Sequence, residues 1–321
     1  MSKKKSNGKK IVFGILAIIM LAFLGIGGYI FHSLTTSKTI DGFLMNVEGE
    51  VFVTRNSNRV EGFDDLEVHK ESIIETRSGT ATLVLRESIF IDIDENTEIV
   101  VAELSNKNVK VKQHSGSAWS KFTRILGVEE YEVEVPNAVA TVRGTQFRVN
   151  VDDDYSSVMV SEGNLIYADE NDELPITEFQ KAEKRGSENI AEAELDDDDV
   201  KDIIRNVKRA IINLRQLRSN EIRKHQRIAK QLIEMNNIDV SQISEHLNYL
   251  DVGGFDEEEI KSYIPVKVES IDIVFAITND IQKELERFER LKNQYPEIAS
   301  EVERELRDRF ERSNELRFLV E

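Results

Sequence analysis

The 321-residue sequence contains no cysteine, one tryptophan (Trp119), four prolines and five histidines. Without cysteine there are no disulfide staples, thiolate metal sites or cysteine nucleophiles, so any fold rests on buried apolar area. The histidines (His32, His69, His114, His225, His246) are scattered and form no H-E-x-x-H pair, so no metal site is expected. There is no G-x-S-x-G elbow, no P-loop and no Rossmann glycine pattern after a strand. Carboxylates are too numerous for one pair to stand out as acid and base. The chain therefore reads as a non-enzyme, with no catalytic residues and no cofactor expected. Positive charge is also in short supply: 42 Lys and Arg against 60 Asp and Glu give a net charge of -18. Such a surface repels phosphate backbones, so nucleic acid is not an expected partner of the whole chain.

A long uncharged run is present, however. Residues 1–10 carry Lys3, Lys4, Lys5, Lys9 and Lys10 and no acid, and Ile11 to Phe31 then run without a charge. That length spans a hydrocarbon core, and the lysine flank predicts a cytoplasmic N-terminus, which sends the rest of the chain outside. A cleaved signal peptide shares this outline. The length of the run and the exit sequence Gly27-Gly28-Tyr29-Ile30-Phe31-His32, which lacks an A-x-A-like pair, favour an uncleaved anchor. The expected location is the cell membrane, crossed once, with the bulk extracytoplasmic.

From residue 42 to 168 the apolar period is two: Val47, Val51 and Val53; Ala81, Leu83 and Leu85; Ile89, Ile91 and Ile93; Val109 and Val111; Tyr131, Val133 and Val135; Phe147, Val149 and Val151. Turn material such as Arg77-Ser78-Gly79, Ser115-Gly116-Ser117 and Asp152-Asp153-Asp154 separates these runs. The pattern predicts an all-β sandwich or roll of about eight to ten strands. Residues 169–199 hold thirteen acidic and three basic side chains and few large apolar ones, and predict a solvated acidic linker. From Val200 the period becomes about 3.6, with Ile204, Val207, Ile211, Leu214, Leu217, Ile228, Leu232 and Met235 on one side. Residues 200–321 thus predict a helical bundle or a coiled-coil-like region, with a long first helix, shorter ones near Gln242–Leu250 and from Asp256, and charged helices on both sides of Pro296. Charged helices of this spacing serve packing within one chain or pairing between chains, so a homo-oligomer through them is an open expectation.

The most informative stretch is Pro136-Asn137-Ala138-Val139-Ala140-Thr141-Val142-Arg143-Gly144-Thr145-Gln146-Phe147-Arg148-Val149. Physically, Pro136 closes a strand, Ala138 and Ala140 allow a close crossing, and Gly144 supplies a backbone angle other residues resist. A corner leading into the next strand is the result, with Arg143 placed to pair an acid or cap carbonyls. Position for position, Pro136, Ala138, Ala140, Val142, Arg143, Gly144, Thr145, Phe147 and Val149 resemble the P-x-A-x-A-x-V-R-G-T-x-F-x-V signature of the FecR domain family, named for a bacterial regulator that responds to ferric citrate. Thr76, Ser78, Ala81, Gly116, Trp119, Glu162, Gly163 and Leu165 also fall where that family places them. The resemblance covers residues 42 to 167 and implies an extracytoplasmic β-domain. The founding regulators carry a cytoplasmic region that engages a sigma factor; the ten residues before the apolar run here are too few to fold as one. The family's Asp-Gly-Ser turn is Arg86-Glu87-Ser88, which questions the tightness of that hairpin.

Three other features have a bland and a sharp reading. Asp92, Asp94, Asn96 and Glu103 have calcium-loop spacing, but Thr97 stands where the loop needs glycine, and alternation with Ile89, Ile91 and Ile93 favours a strand face. Ten basic residues between Lys201 and Lys230 suggest an anionic polymer or lipid, or neutralisation by acids of the same molecule. Trp119 reads as a core residue before it reads as a sugar platform. The expectation is a membrane-anchored, non-enzymatic binding or tethering module whose partner is an envelope protein or polymer. A sensor that signals through a membrane partner is the first alternative, and an envelope glycan binder or hydrolase the second.

Overall fold

The computed structural model describes residues 41–123, 127–236 and 269–312. Sixteen strands and three long helices follow one another: β1 (Gly42–Glu48), β2 (Val51–Arg55), β3 (Asn58–Glu61), β4 (Ile73–Thr76), β5 (Thr80–Leu85), β6 (Ile89–Ile93), β7 (Glu98–Leu104), β8 (Asn108–Phe122), β9 (Glu130–Val135), β10 (Ala138–Val142), β11 (Gln146–Asp152), β12 (Tyr155–Glu162), β13 (Asn164–Ala168), β14 (Glu173–Thr177), β15 (Lys181–Arg185), β16 (Ala191–Ala193), α1 (Asp197–Asn236), α2 (Glu269–Gln294) and α3 (Pro296–Arg312). The expected order of a β-rich part followed by helices is what is found. Among the described residues no helix is long and apolar enough to cross a membrane; the expected span Ile11–Phe31 lies outside them, as do the helices expected near Gln242 and Asp256.

The strands form two sheets that share one member. Sheet A runs β1-β5-β6-β8-β11-β12-β15-β16, and sheet B runs β3-β2-β4-β7-β8-β9-β10-β13-β14. The first half of β8 pairs β7 and, in parallel, β9; its second half pairs β6 and β11. The change of sheet occurs at Gly116, whose φ of +81° lies in the left-handed region, and a Cβ there would meet Thr97 Oγ1 at 2.2 Å. Only glycine fits that corner.

Inward residues of both sheets form one core that includes Leu44, Leu83, Ile91, Phe147 and Val158 from sheet A and Val53, Ile74, Val111, Tyr131 and Leu165 from sheet B. Alternation is the reason: each strand offers every second side chain to the other sheet. Two hydroxyls close across this core. Tyr131 reaches Ser120 at 3.0 Å, and Tyr131 stacks edge-on with Phe122 at 6.3 Å between centroids.

Two expectations are corrected. Residues 42–168 hold thirteen strands, more than the about eight to ten expected, and one of them, the exposed β3, has no apolar alternation to announce it. Residues 169–199 are not a solvated linker: they supply β14, β15 and β16, which extend both sheets. Their anchors are small in number, Ile176, Ala182 and Ile190 being buried among charges. The acids have structural partners as well. Lys184 pairs with Asp169, and Lys181 with Asp199 at 3.0 Å. The hairpin turn at Arg86-Glu87-Ser88 closes without glycine, with φ of +53° at Arg86 and +49° at Glu87.

The outer face of sheet A is covered by the helices. Asp196 caps α1: its carboxylate accepts the Asp199 amide at 2.8 Å while the Asp199 carboxylate accepts the Asp196 amide at 3.2 Å, a reciprocal box that starts the helix three residues before the expected Val200. Aspartates 197 to 199 add negative charge at the positive end of the helix dipole. Val200, Ile203, Ile204, Val207 and Ile211 of α1 pack with Phe288 and Leu291 of α2 and with Ala299, Val302 and Leu306 of α3. The helices pack on one another within the chain.

Candidate functional site

The sequence motif is a crossing between sheets. Pro136 and Asn137 form the exposed turn of the β9-β10 hairpin in sheet B; Ala138, Ala140 and Val142 are buried inward positions of β10. Arg143 and Gly144 then carry the chain across to β11 of sheet A, with Gly144 at φ +76°. Thr145 fastens the corner by donating its hydroxyl to the Asn164 carbonyl at 2.6 Å. Phe147 and Val149 enter the sandwich core. Arg143 is exposed and lies 3.5 Å from Glu130, an acid partner of the kind its position suggested. The nine motif residues are thus brought together as architecture, not as a converging polar site.

A converging polar site lies elsewhere, between sheet A and the helices. Trp119 and Met159 are the two sheet residues in the helix-side apolar cluster. Around them the outward positions of β6, β8 and β11 include the polar Asp92, Lys121, Gln146 and Arg148 beside the buried Phe90. Lys121 on β8 pairs with Glu284 of α2 and with Glu162 at 3.1 Å, while Arg287 of α2 donates to Gln146 of β11 at 2.7 Å and lies 3.4 Å from Glu162. Gln146 also donates to Asn206 of α1. Glu284, Arg287, Lys121 and Gln146 are all buried. Two cations and two carboxylates therefore meet with no net charge, in a setting where each is largely removed from water.

Burial pushes the Glu284 carboxyl above the ordinary glutamate range, against the pull of Lys121. Burial acts the same way on Glu162, but the charges of Lys121 and Arg287 outweigh it and hold that carboxyl below its usual value. Lys121 is held above the ordinary lysine value because Glu284 and Glu162 outweigh its own desolvation. Glu284 is thus the weaker acid of the two.

A second cluster adjoins the first. Asp92 of β6 accepts from Thr82 at 2.7 Å and from Asn213 of α1 at 2.9 Å, and burial pushes its carboxyl up against the nearby Arg209 charge. Asn46 completes the set by donating to Asn213 at 3.0 Å. A small cleft of about 60 Å³ opens beside these residues. Arg148 of β11 bridges Asp94 and Asp202 of α1, and Arg209 reaches Asp94 at 3.5 Å. The calcium-loop spacing is not assembled: Asp92 faces the helices from sheet A, whereas Glu103 lies on β7 of sheet B opposite Lys110. Among the described residues no group of three or more metal-ligating side chains converges. The basic face of α1 finds acids of the same molecule, Lys201 with Glu301 and Glu305, Arg205 with Asp202 and Glu305, and Lys208 with Glu303.

Sequence reasoning missed this seam, although one sign was available. Ile277, Ile281, Phe288 and Leu291 form the apolar stripe of α2, and Glu284 occupies the place in that stripe where another apolar residue belongs. Asn206 and Asn213 interrupt the stripe of α1 in the same way, seven residues apart. A polar residue inside an apolar stripe marks a buried partner on the facing element.

Residues 72–165 match the FecR protein family. The FecR-like match runs from the start of β4 into β13 and contains the corner at Arg143-Gly144-Thr145. Two crystal structures, at 1.65 and 2.50 Å resolution and both described as a "putative anti-sigma factor" from Parabacteroides distasonis, are similar at 16% identity with TM-scores of 0.35 and 0.34. They cover 39% and 38% of this chain, and the chain spans 60% and 58% of theirs. No curated protein matches the sequence.

Proposed function

We propose that the chain is a membrane-anchored, non-enzymatic binding module of the cell envelope, in which the FecR-like domain engages an envelope protein or polymer. The observation that carries this reading is the FecR match over residues 72–165, which falls wholly within the sandwich. The lysine flank and the uncharged run Ile11–Phe31 support a single span with the bulk outside. Placing a photo-activated cross-linker at single exposed positions of the full chain in intact membranes tests it: Asn164 and Ile166 on sheet B, Lys283 and Glu297 on the helices. Capture of a partner from the sheet positions supports recognition by the β-domain. Capture from the helix positions alone makes that domain a spacer and overturns the assignment. Retention of the chain on purified cell-wall material identifies the partner as a polymer.

A second reading, a regulator that passes an outside signal inward through a membrane partner, draws on the charged seam, because ion pairs between elements are a means of linking conformation to a stimulus. Replacing residues 1–31 with an unrelated anchor separates the two. A tether keeps its function after the exchange, and a regulator that works through its own span loses it.

A further inference from the structure

The sandwich core and the helix layer are packed in different ways. Among the described residues the main core contains none from α1, α2 or α3. Among the described residues the helix-side cluster takes Trp119 and Met159 from the strands, and the outward-facing Phe90 of β6 is buried beside them. The polar contact between sheet A and α2 is made by Lys121, Glu162, Gln146, Glu284 and Arg287, while Phe288 and Leu291 of α2 pack with α1 and α3. Five buried side-chain atoms among the described residues have no hydrogen-bond partner in the protein, and three of them, Glu284 Oε2, Arg287 Nε and Arg287 Nη2, sit one helical turn apart on α2. Ion-pair distances of 3.8 Å from Arg287 to Glu284 and to Glu178 do not make up for those missing bonds. Buried charges incompletely hydrogen-bonded weaken a contact relative to an apolar one of the same size, and lifting the helix returns them to water.

We propose that α2 is a releasable latch: a helix held on sheet A by the Lys121–Glu162–Glu284–Arg287 cluster and able to lift away while the sandwich stays folded. Release uncovers the sheet face around Lys121, Glu162 and Gln146. The cluster selects one docked geometry, since each cation meets its carboxylate in one register only, while its desolvation keeps the docked state from being deep. This goes beyond the proposed function and holds for a tether or a regulator alike.

Amide hydrogen exchange on the full chain in detergent tests the latch. In the unaltered protein, amides of α2 are expected to exchange through an opening that leaves the central strands β8 and β11 protected. Glu284→Leu leaves Lys121 and Arg287 to share Glu162, one buried cation in excess, and is expected to speed α2 exchange by about a hundredfold with β8 and β11 unchanged. The combined change Lys121→Met, Glu162→Gln, Glu284→Leu and Arg287→Met replaces the cluster with apolar and neutral groups and is expected to slow α2 exchange to the unaltered rate or below it. Exchange of α2 in step with β8 and β11 in the unaltered chain overturns the latch, and that arm needs no variant to fold. Unchanged α2 exchange in a folded Glu284→Leu chain overturns it too.

Discussion

At the scale of single residues, backbone geometry outranks the charged member of the motif. Gly116 turns β8 from one sheet to the other at a φ that side chains resist, with Thr97 and the Asn96 carbonyl within 2.6 Å of any added Cβ. Gly116→Ala is therefore expected to lower unfolding free energy by about 2–4 kcal/mol, read as a fall in the urea midpoint. Phe147, fully buried against Tyr131 with ring centroids 6.0 Å apart, is expected to cost about 3–5 kcal/mol on change to alanine. Arg143→Ala, at an exposed ion pair, is expected to stay within about 0.5 kcal/mol in the same denaturation series. A large loss from Arg143 and none from Phe147 would reverse the architectural account of the motif. The corner was legible in the sequence because its parts are neighbours: a proline, two alanines and a glycine in nine residues. The seam was not, because Lys121 and Glu284 are 163 positions apart and no local pattern encodes their meeting. Its local traces are the glutamate that interrupts the apolar stripe of α2 and the asparagines that interrupt that of α1.

Among the elements, α2 and α1 respond to pH through two buried carboxylates at their seam with sheet A, Glu284 of α2 and Asp92 of β6. Glu284 meets Lys121 and Glu162 from the sheet and Arg287 from its own helix; Asp92 meets Thr82 and Asp94 from the sandwich and Asn213 and Arg209 from α1. Both are raised in the folded protein, so folding takes up protons there, and stability falls as pH rises from the ordinary carboxylate range through the raised values. Glu162 and Glu305 are lowered and act in the opposite sense: their contribution is present above the ordinary value and is lost as pH falls through the depressed one. Asp169, held down to about 2 by Lys184 and by the amides of Asn171 and Asp172, extends that acid-side loss to the lowest pH. Helix protection, measured by exchange at several pH values after correction for the intrinsic rate, is expected to peak in mild acid and decline on both sides. Glu284→Gln is expected to flatten the alkaline decline. A maximum at alkaline pH would contradict the assignment of the raised carboxylates. The helices themselves were legible from periodicity, and so were the strands with strict alternation. Strands β14 to β16 were not, since three small or medium apolar anchors among thirteen acids look like solvated chain until the lysines that pair them are brought close by the fold.

Across the whole molecule, the one tryptophan is a built-in reporter. Trp119 is buried beneath the helix layer and outside the sandwich core, so its emission is expected to shift to the red when the helices lift, at a lower denaturant concentration than the loss of far-ultraviolet signal from the sheets. Coincident midpoints would mean that helices and sandwich unfold as one cooperative body. The absence of cysteine makes the complementary experiment simple, because any introduced thiol is the sole site for a label. The shared strand β8 carries a different consequence, one of timing. Strands β6 and β7 both precede β8 in the chain, and each depends on it for a partner; β9 and β11, its other partners, follow. A chain made from its N-terminus onward therefore holds two open strand edges until Asn108–Phe122 has been synthesised. During that interval its most exposed backbone is also its most adhesive, and protection at this stage must come from outside the molecule.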